Sequence, residues 1–223
     1  MDSILANIAI TVNEKLYLKN PETSNLGKKI INSSILLIDE IGFENFTFKK
    51  LGDKIASNES SIYRYFESKH KLMLYLSSWY WSWIEYKLVF ATNNVDNPLE
   101  KLKKGITIVT EKINDDSETQ HINEAVLNRI IIAEFTKTLL TKEVDDENKE
   151  GFFSIYKRVI NRLVVMIEEV KPDYEFSKTL ASSIVEGALH QHFLQIHLKT
   201  ITNCDQKISP TDFYVQLIEN LLK

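Results

Sequence analysis

Long stretches of this chain run without a glycine or a proline. Six Gly and four Pro punctuate 223 residues, too few for a loop-rich β protein or a disordered one. Between them, apolar side chains recur at helical spacing. Residues 26–41 carry Ile30, Ile31, Ile35, Leu37, Ile38 and Ile41 along one stripe. Gly42 then ends the helix as a C-terminal glycine. Thr47 stands where an N-cap belongs, ahead of FKKLGDKIA. Asn58 caps the next short helix, and Glu59 in its first turn suits the helix dipole. Ser68 caps a fourth helix that the pattern carries from Lys69 to about Thr92.

The remainder repeats these signals. Asn97-Pro98-Leu99-Glu100 supplies a cap, a first-position proline and a third-position acid. It opens a helix to about Asn114, and Asp115 to Ile122 reads as partly loop. Further helices are expected over about Asn123–Lys142, over Phe152–Val170 ahead of Pro172, and over about Tyr174–Ile201 behind an Asp173 cap. The acidic run Glu143 to Glu150 reads as a solvated connection. Ser209-Pro210-Thr211-Asp212 starts a last helix through Leu222. The expectation is an all-α chain of about nine helices, with no strand signal and no internal repeat. Before it, residues 1–25 form an extension: Ile4 to Ile10 suits a short helix, Thr11 to Leu18 an extended run, and residues 21–25 a break. Lys15 and Lys19 there are offset by Asp2 and Glu14, so the extension reads as packing rather than as a charged arm.

Composition narrows the function classes. The single cysteine, Cys204, excludes an internal disulfide and a cysteine-based zinc site. The N-terminus has no basic region ahead of its short apolar run, and charges break every apolar stretch well short of a membrane span. A cytoplasmic protein is expected. Net charge is −4, but it is unevenly spread. Residues 26–72 hold eight Lys/Arg against six acids, whereas residues 73–223 hold 17 against 22. A mildly basic head precedes an acidic body.

The head also carries the chemistry. Ser61-Ile62-Tyr63-Arg64-Tyr65-Phe66 gathers phenols, a guanidinium and a hydroxyl within about two helical turns. Such groups hydrogen-bond to phosphates and base edges in a DNA groove. Gly42-Phe43, Thr47, Tyr63-Arg64-Tyr65-Phe66 and Ser68-Lys69, with no gap between Thr47 and Leu72, resemble the DNA-binding domain of the TetR/AcrR family of bacterial transcriptional regulators. The resemblance spans residues 26–76. It implies an N-terminal three-helix helix-turn-helix domain over 26–72. A long fourth helix would join this to a larger helical effector-binding and dimerisation domain over 73–223. It also assigns roles. Thr47, Lys49 and Lys69 would meet the phosphate backbone. Asn58, Ser60 and Ser61 would face the major groove. Tyr63, Arg64 and Tyr65 would divide between phosphates and bases, with Ile55, Ile62 and Phe66 in the core. The chain departs from the family pattern at Ala56, where glycine is usual, and at Ser57, where an apolar residue is usual. It departs again at Gly52, where alanine is usual, and at Glu59, where lysine is common; a cap role for Glu59 is favoured over a cytosine contact.

All three tryptophans sit in residues 75–86. Trp79, Trp83 and Tyr86 share one helical face, and by the resemblance they are candidate walls of a pocket for a small apolar or aromatic effector, with His190 beside them. Packing of the core is the competing reading for each. Glu186 and His190 lie one turn apart, a spacing compatible with a metal or a hydrogen-bonded pair, but no further ligand accompanies them and no metal or cofactor is assigned. The last two helices resemble the family's dimerisation pair, with Ile184, Ala188, Leu189, Phe193, Phe213, Leu217, Ile218 and Leu221 on the apolar faces. A homodimer also suits the reading problem, because two related heads read a palindromic operator one turn apart. The leading expectation is a ligand-responsive repressor. A DNA-binding regulator controlled by a protein partner, or by no effector, is the alternative. A helical metal-dependent enzyme is remote: the chain shows no catalytic Ser/His/Asp spacing, phosphate loop or HExxH.

Overall fold

The computed structural model describes residues 10–113 and 121–222, so the expectations for Ile4 to residue 9 and for most of the 115–122 connection fall outside the described residues. Within them the chain is all-helical. Ten α-helices follow one another: α1 (Asn25–Asn45), α2 (Phe48–Ile55), α3 (Glu59–Tyr63), α4 (Lys69–Thr92), α5 (Pro98–Thr110), α6 (Glu124–Leu139), α7 (Val144–Lys149), α8 (Ser154–Val170), α9 (Ser177–His197) and α10 (Pro210–Leu221). Short 3-10 turns occupy Glu14–Leu16, Pro21–Thr23 and Lys199–Ile201. The count exceeds nine because the acidic run forms α7 in place of a plain connection.

Local chemistry explains most boundaries. The Thr47 hydroxyl accepts from the Lys50 amide, Asn58 Oδ1 from Ser61, Ser68 Oγ from Lys71 and Asn97 Oδ1 from Glu100. Ser209 and Asp212 close a reciprocal capping box. Each cap satisfies an amide the helix leaves orphaned and contributes about 1 kcal/mol. Gly42 breaks α1 with φ 75° and ψ 155°, a positive-φ conformation that glycine adopts without the steric cost of a Cβ. The Asp173 cap is a correction. Asp173 sits at φ 65°, and α9 begins at Ser177 behind Phe176, without a side-chain cap. Thr110 ends α5 before the expected Asn114, with Glu111 turning to an extended conformation.

The helices form two compact units. Residues 1–82 and 113–153 make the first, and residues 83–112 and 154–223 the second; α4 is continuous across the boundary. In the first, Ile30, Ile31, Ile35, Leu51, Ile62, Phe66 and Leu72 are fully buried. The described part of the extension belongs to this core: Leu16 is buried, and the Leu18 amide donates to the Tyr65 carbonyl at 2.8 Å. In the second, α8 packs on α5 and α9 around Leu102, Ile106, Val159, Leu163, Ile167, Ala181 and Ile184. Buried His192 bonds the Thr110 carbonyl at 2.8 Å. Burial holds its imidazole pKa below the ordinary value.

The turn between α2 and α3 explains two of the departures. Ala56 has φ 53° and ψ 47°, a left-handed conformation at which an L-residue is strained. This conformation folds the Ser57 carbonyl back over α2. A Cβ on Gly52 would lie 2.7 Å from the Ser57 oxygen, so a side chain there would force the turn to shift. The about 1 kcal/mol of helix propensity that Gly52 forgoes is the condition for that closure.

Candidate nucleic-acid interface

The α2-turn-α3 corner presents the polar groups the sequence suggests, with two corrections. Thr47, Lys49, Asn58, Ser60 and Arg64 are exposed, and Ser61 is half-buried. Lys49 and Arg64 make no ion pair among the described residues. Asn58 Oδ1 collects donors from Ser60 Oγ at 2.9 Å, Ser61 Oγ at 2.5 Å and the Ser61 amide at 2.9 Å. This set fixes the amide plane at the start of α3 and leaves its NH2 group facing solvent. Tyr63 is 46% exposed, and its ring stands edge-on to buried Phe48 at 4.9 Å. The ring is anchored on its inner side and its hydroxyl is presented outward. Glu59, also half-buried, makes no ion pair among the described residues.

Tyr65 is the first correction. It is 3% exposed, its hydroxyl shares a 2.8 Å hydrogen bond with Ser24 Oγ, and Lys19 Nζ lies 5.2 Å from its ring centroid. The bond from Ser24 holds its phenol pKa below the ordinary value, against the opposing effect of burial. Helical phase is the reason: after Tyr63 the chain leaves α3 in a tight turn, and Tyr65 rotates inward beside Phe66. Lys69 is the second correction. Its ammonium donates to the carbonyls of Phe43, Glu44 and Phe46 at 3.0–3.2 Å and lies 4.9 Å from the Phe43 ring. Lys69 thus caps the end of α1 and its donors are engaged within the fold.

The candidate effector residues differ in exposure and in their neighbours. Trp79 and Trp83 are buried at 3% and 4% exposure, Lys87 covers the Trp83 ring at 4.7 Å, and Tyr86 stacks on Phe90. His190 is exposed and stacks on Phe193. None of the four lines the described cleft of about 670 Å³, which opens along α4 and α8. Its wall holds Glu85, Arg158 and Arg162 instead. Burial alone would raise the Glu85 carboxyl, but hydrogen bonds from Arg158 and Arg162 outweigh it and hold the pKa below the ordinary carboxylate value. Sequence reading missed this cluster. Arg158 and Arg162 at i, i+4 were a legible signal, but their partner lies 73 and 77 residues away. Glu186, spaced from His190 like a metal pair, takes the Tyr156 hydroxyl instead. No group of three metal-ligating side chains occurs among the described residues.

The apolar residues expected at a dimer contact divide in two. Ile184, Ala188, Leu189 and Ile218 are buried within the protomer, a correction: they belong to its own core and are not free for a partner. Phe213 at 47% and Leu221 at 39% are exposed, with Phe193 and Leu217 half-buried. No helix among the described residues is long and apolar enough to cross a membrane.

Residues 30–76 match the family model described as bacterial regulatory proteins, tetR family. The resemblance read from Gly42-Phe43 through Ser68-Lys69 falls within that match. No curated protein sequence matches the chain. Solved structures of similar fold include superantigen PfiT (13% identity, 87% of this chain and 92% of that one, TM-score 0.57). AibR, crystallised with isovaleryl coenzyme A and operator DNA, is 15% identical over 85% of this chain and 97% of that one, with TM-score 0.56. The ketosteroid transcriptional regulator KstR2 of Mycobacterium tuberculosis is 15% identical over 97% of both chains, with TM-score 0.55. The chain has a TetR-like all-α fold, with an N-terminal helix-turn-helix domain and a larger helical C-terminal domain.

Proposed function

We propose that a chain carrying this tetR-type reading head is a homodimeric transcriptional repressor that releases a palindromic operator when a small molecule binds its C-terminal domain. The observation that carries the DNA reading is the α3 corner. Tyr63, Arg64 and the Asn58 amide point outward around α3, whose inner face, Ile62, is fully buried, and Thr47 and Lys49 are exposed at the start of α2. Phosphates would take Thr47, Lys49 and the Tyr63 hydroxyl. Asn58 and Ser60 would face base edges, and Arg64 would serve either. One α3 of five residues reads too few bases for a specific site, so two heads are needed. The exposed Phe213 and Leu221 on α10, with half-buried Phe193 on α9 and Leu217 on α10, support pairing through those helices.

Effector control is supported by the cleft along α4 and α8, and by the fold shared with AibR, whose structure contains both a small molecule and operator DNA. Switching fully between DNA-competent and incompetent states would require about 5.5 kcal/mol of differential ligand affinity. The test selects bound sequences from a random duplex library with the full chain, then measures affinity for the selected site across a salt series. Tyr63→Phe, which keeps the ring on Phe48 and removes only the hydroxyl, and Lys49→Ala should each weaken binding with the melting temperature unchanged. Wild-type affinity in both variants would overturn the assigned docking.

A further inference from the structure

Glu85 on α4 is one carboxylate shared by two guanidiniums of α8. Arg158 reaches it through Nε at 3.1 Å and Nη2 at 2.7 Å, and Arg162 through Nε alone at 2.8 Å. Glu85 is nearly buried, while Arg158 and Arg162 keep 56% and 44% of their side chains exposed on the cleft side. The terminal nitrogens of Arg162 donate to nothing among the described residues. The cluster therefore carries a net positive charge and an unused fork of donors at the mouth of a cleft of about 670 Å³, within the size range of small-molecule sites.

The rest of the lining limits what could fill it. Lys101 is neutralised by Glu169 at 2.8 Å, and Asp96 is the second acid of the lining. Val89 and Val165 are 42% and 46% exposed and face the same space. A guanidinium fork favours planar or tetrahedral oxyanions, which it binds bidentately. Exposed valines beside it favour an apolar body attached to that anion. A bare inorganic ion would leave the valines in water, and a neutral apolar molecule would leave the fork unused.

We propose that this cleft binds a small amphiphilic anion: a carboxylate or phosphate on a short apolar body, the anion on the outer nitrogens of Arg162 and the body against Val89 and Val165. The anion shares the Arg162 guanidinium with Glu85, which takes only its Nε, so binding weakens a tie between α8 and α4 by dividing one positive charge between two anions. The consequence for DNA rests on the effector reading above; the site itself does not.

The experiment is calorimetric titration of the full-length protein with octanoate, octyl phosphate, octanol and inorganic phosphate. Octanoate or octyl phosphate should bind about tenfold or more tightly than octanol and than inorganic phosphate. Arg162→Gln should remove that preference for the charged ligands. Val165→Asp, a change at an exposed position, should weaken octanol by loss of apolar contact and the anions further, by that loss and by like charge. Equal binding of octanol and both anions, or anion affinity unchanged in both variants, overturns the site. Operator affinity is measured with and without octanoate. Binding at Arg162 that leaves operator affinity unchanged supports the site and overturns the effector reading. Absence of anion binding overturns the site even where another compound releases the DNA.

Discussion

Replacing Ala56 by glycine should stabilise the reading head. Ala56 holds a left-handed backbone with φ 53° and ψ 47°, which costs an L-residue about 1–2 kcal/mol. Glycine removes that cost but adds about 0.5–1 kcal/mol of unfolded-chain entropy. The Ala56 side chain is exposed, so little packing is lost. The net is a gain of about 0.5–1 kcal/mol, or roughly 2 °C in melting temperature for a chain of this length. Thermal melts at one protein concentration, compared with the parent, measure it. Gly52→Ala is the internal control. It gains about 1 kcal/mol of helix propensity, yet its Cβ would stand 2.7 Å from the Ser57 carbonyl oxygen. That oxygen is backbone held by the turn, so the variant should lose stability by about 1–3 kcal/mol, as overpacked sites do. A lowered melting temperature in Ala56→Gly, together with a tolerated Gly52→Ala, would refute the left-handed turn and the reason given for both residues.

Other outcomes follow from single contacts. Lys69→Met should lower the melting temperature, because the Phe43, Glu44 and Phe46 carbonyls lose their shared donor; an unchanged melt would return Lys69 to the list of free phosphate contacts. Phe213→Glu should shift the chain toward monomer in sedimentation velocity while leaving its helical circular dichroism intact, and a persistent dimer would move the interface off α10. The Glu85 carboxyl is held below its ordinary value in the folded chain. Its contribution is therefore complete above the unfolded value of about 4.3 and is lost as pH falls through the folded value. Urea midpoints taken down the acid limb should fall less steeply in Glu85→Gln than in the parent, and parallel curves would sink that assignment.

Much of the fold was legible because its signals are local. Thr47, Asn58, Ser68, Asn97 and Ser209 each cap a helix from within three residues of the amide they satisfy, so a short window of sequence contains both partners. The head was legible for the same reason, since its motif runs unbroken from Thr47 to Leu72. Asp173 shows the limit: it has the side chain of a cap, but its backbone turned left-handed, which composition does not reveal. Glu59 and the serines kept their places at the start of α3, while Tyr65, two residues past Tyr63, went to the core.

By itself, then, the sequence determined an all-helical chain, the position of its helix-turn-helix domain and nearly every helix start, because hydrogen bonds between near neighbours decide these. Tertiary structure decided which face of each helix is used. It buried Tyr65 against Ser24, tied Lys69 to the end of α1, and turned Ile184, Ala188 and Leu189 inward while Phe213 and Leu221 stayed out. It also brought Glu85 to Arg158 and Arg162 across 73 and 77 residues. Helical spacing says which residues share a face. Only the packing of one helix on another, with the free energy of burial and the cost of an unpaired charge, settles whether that face meets core, cleft or solvent.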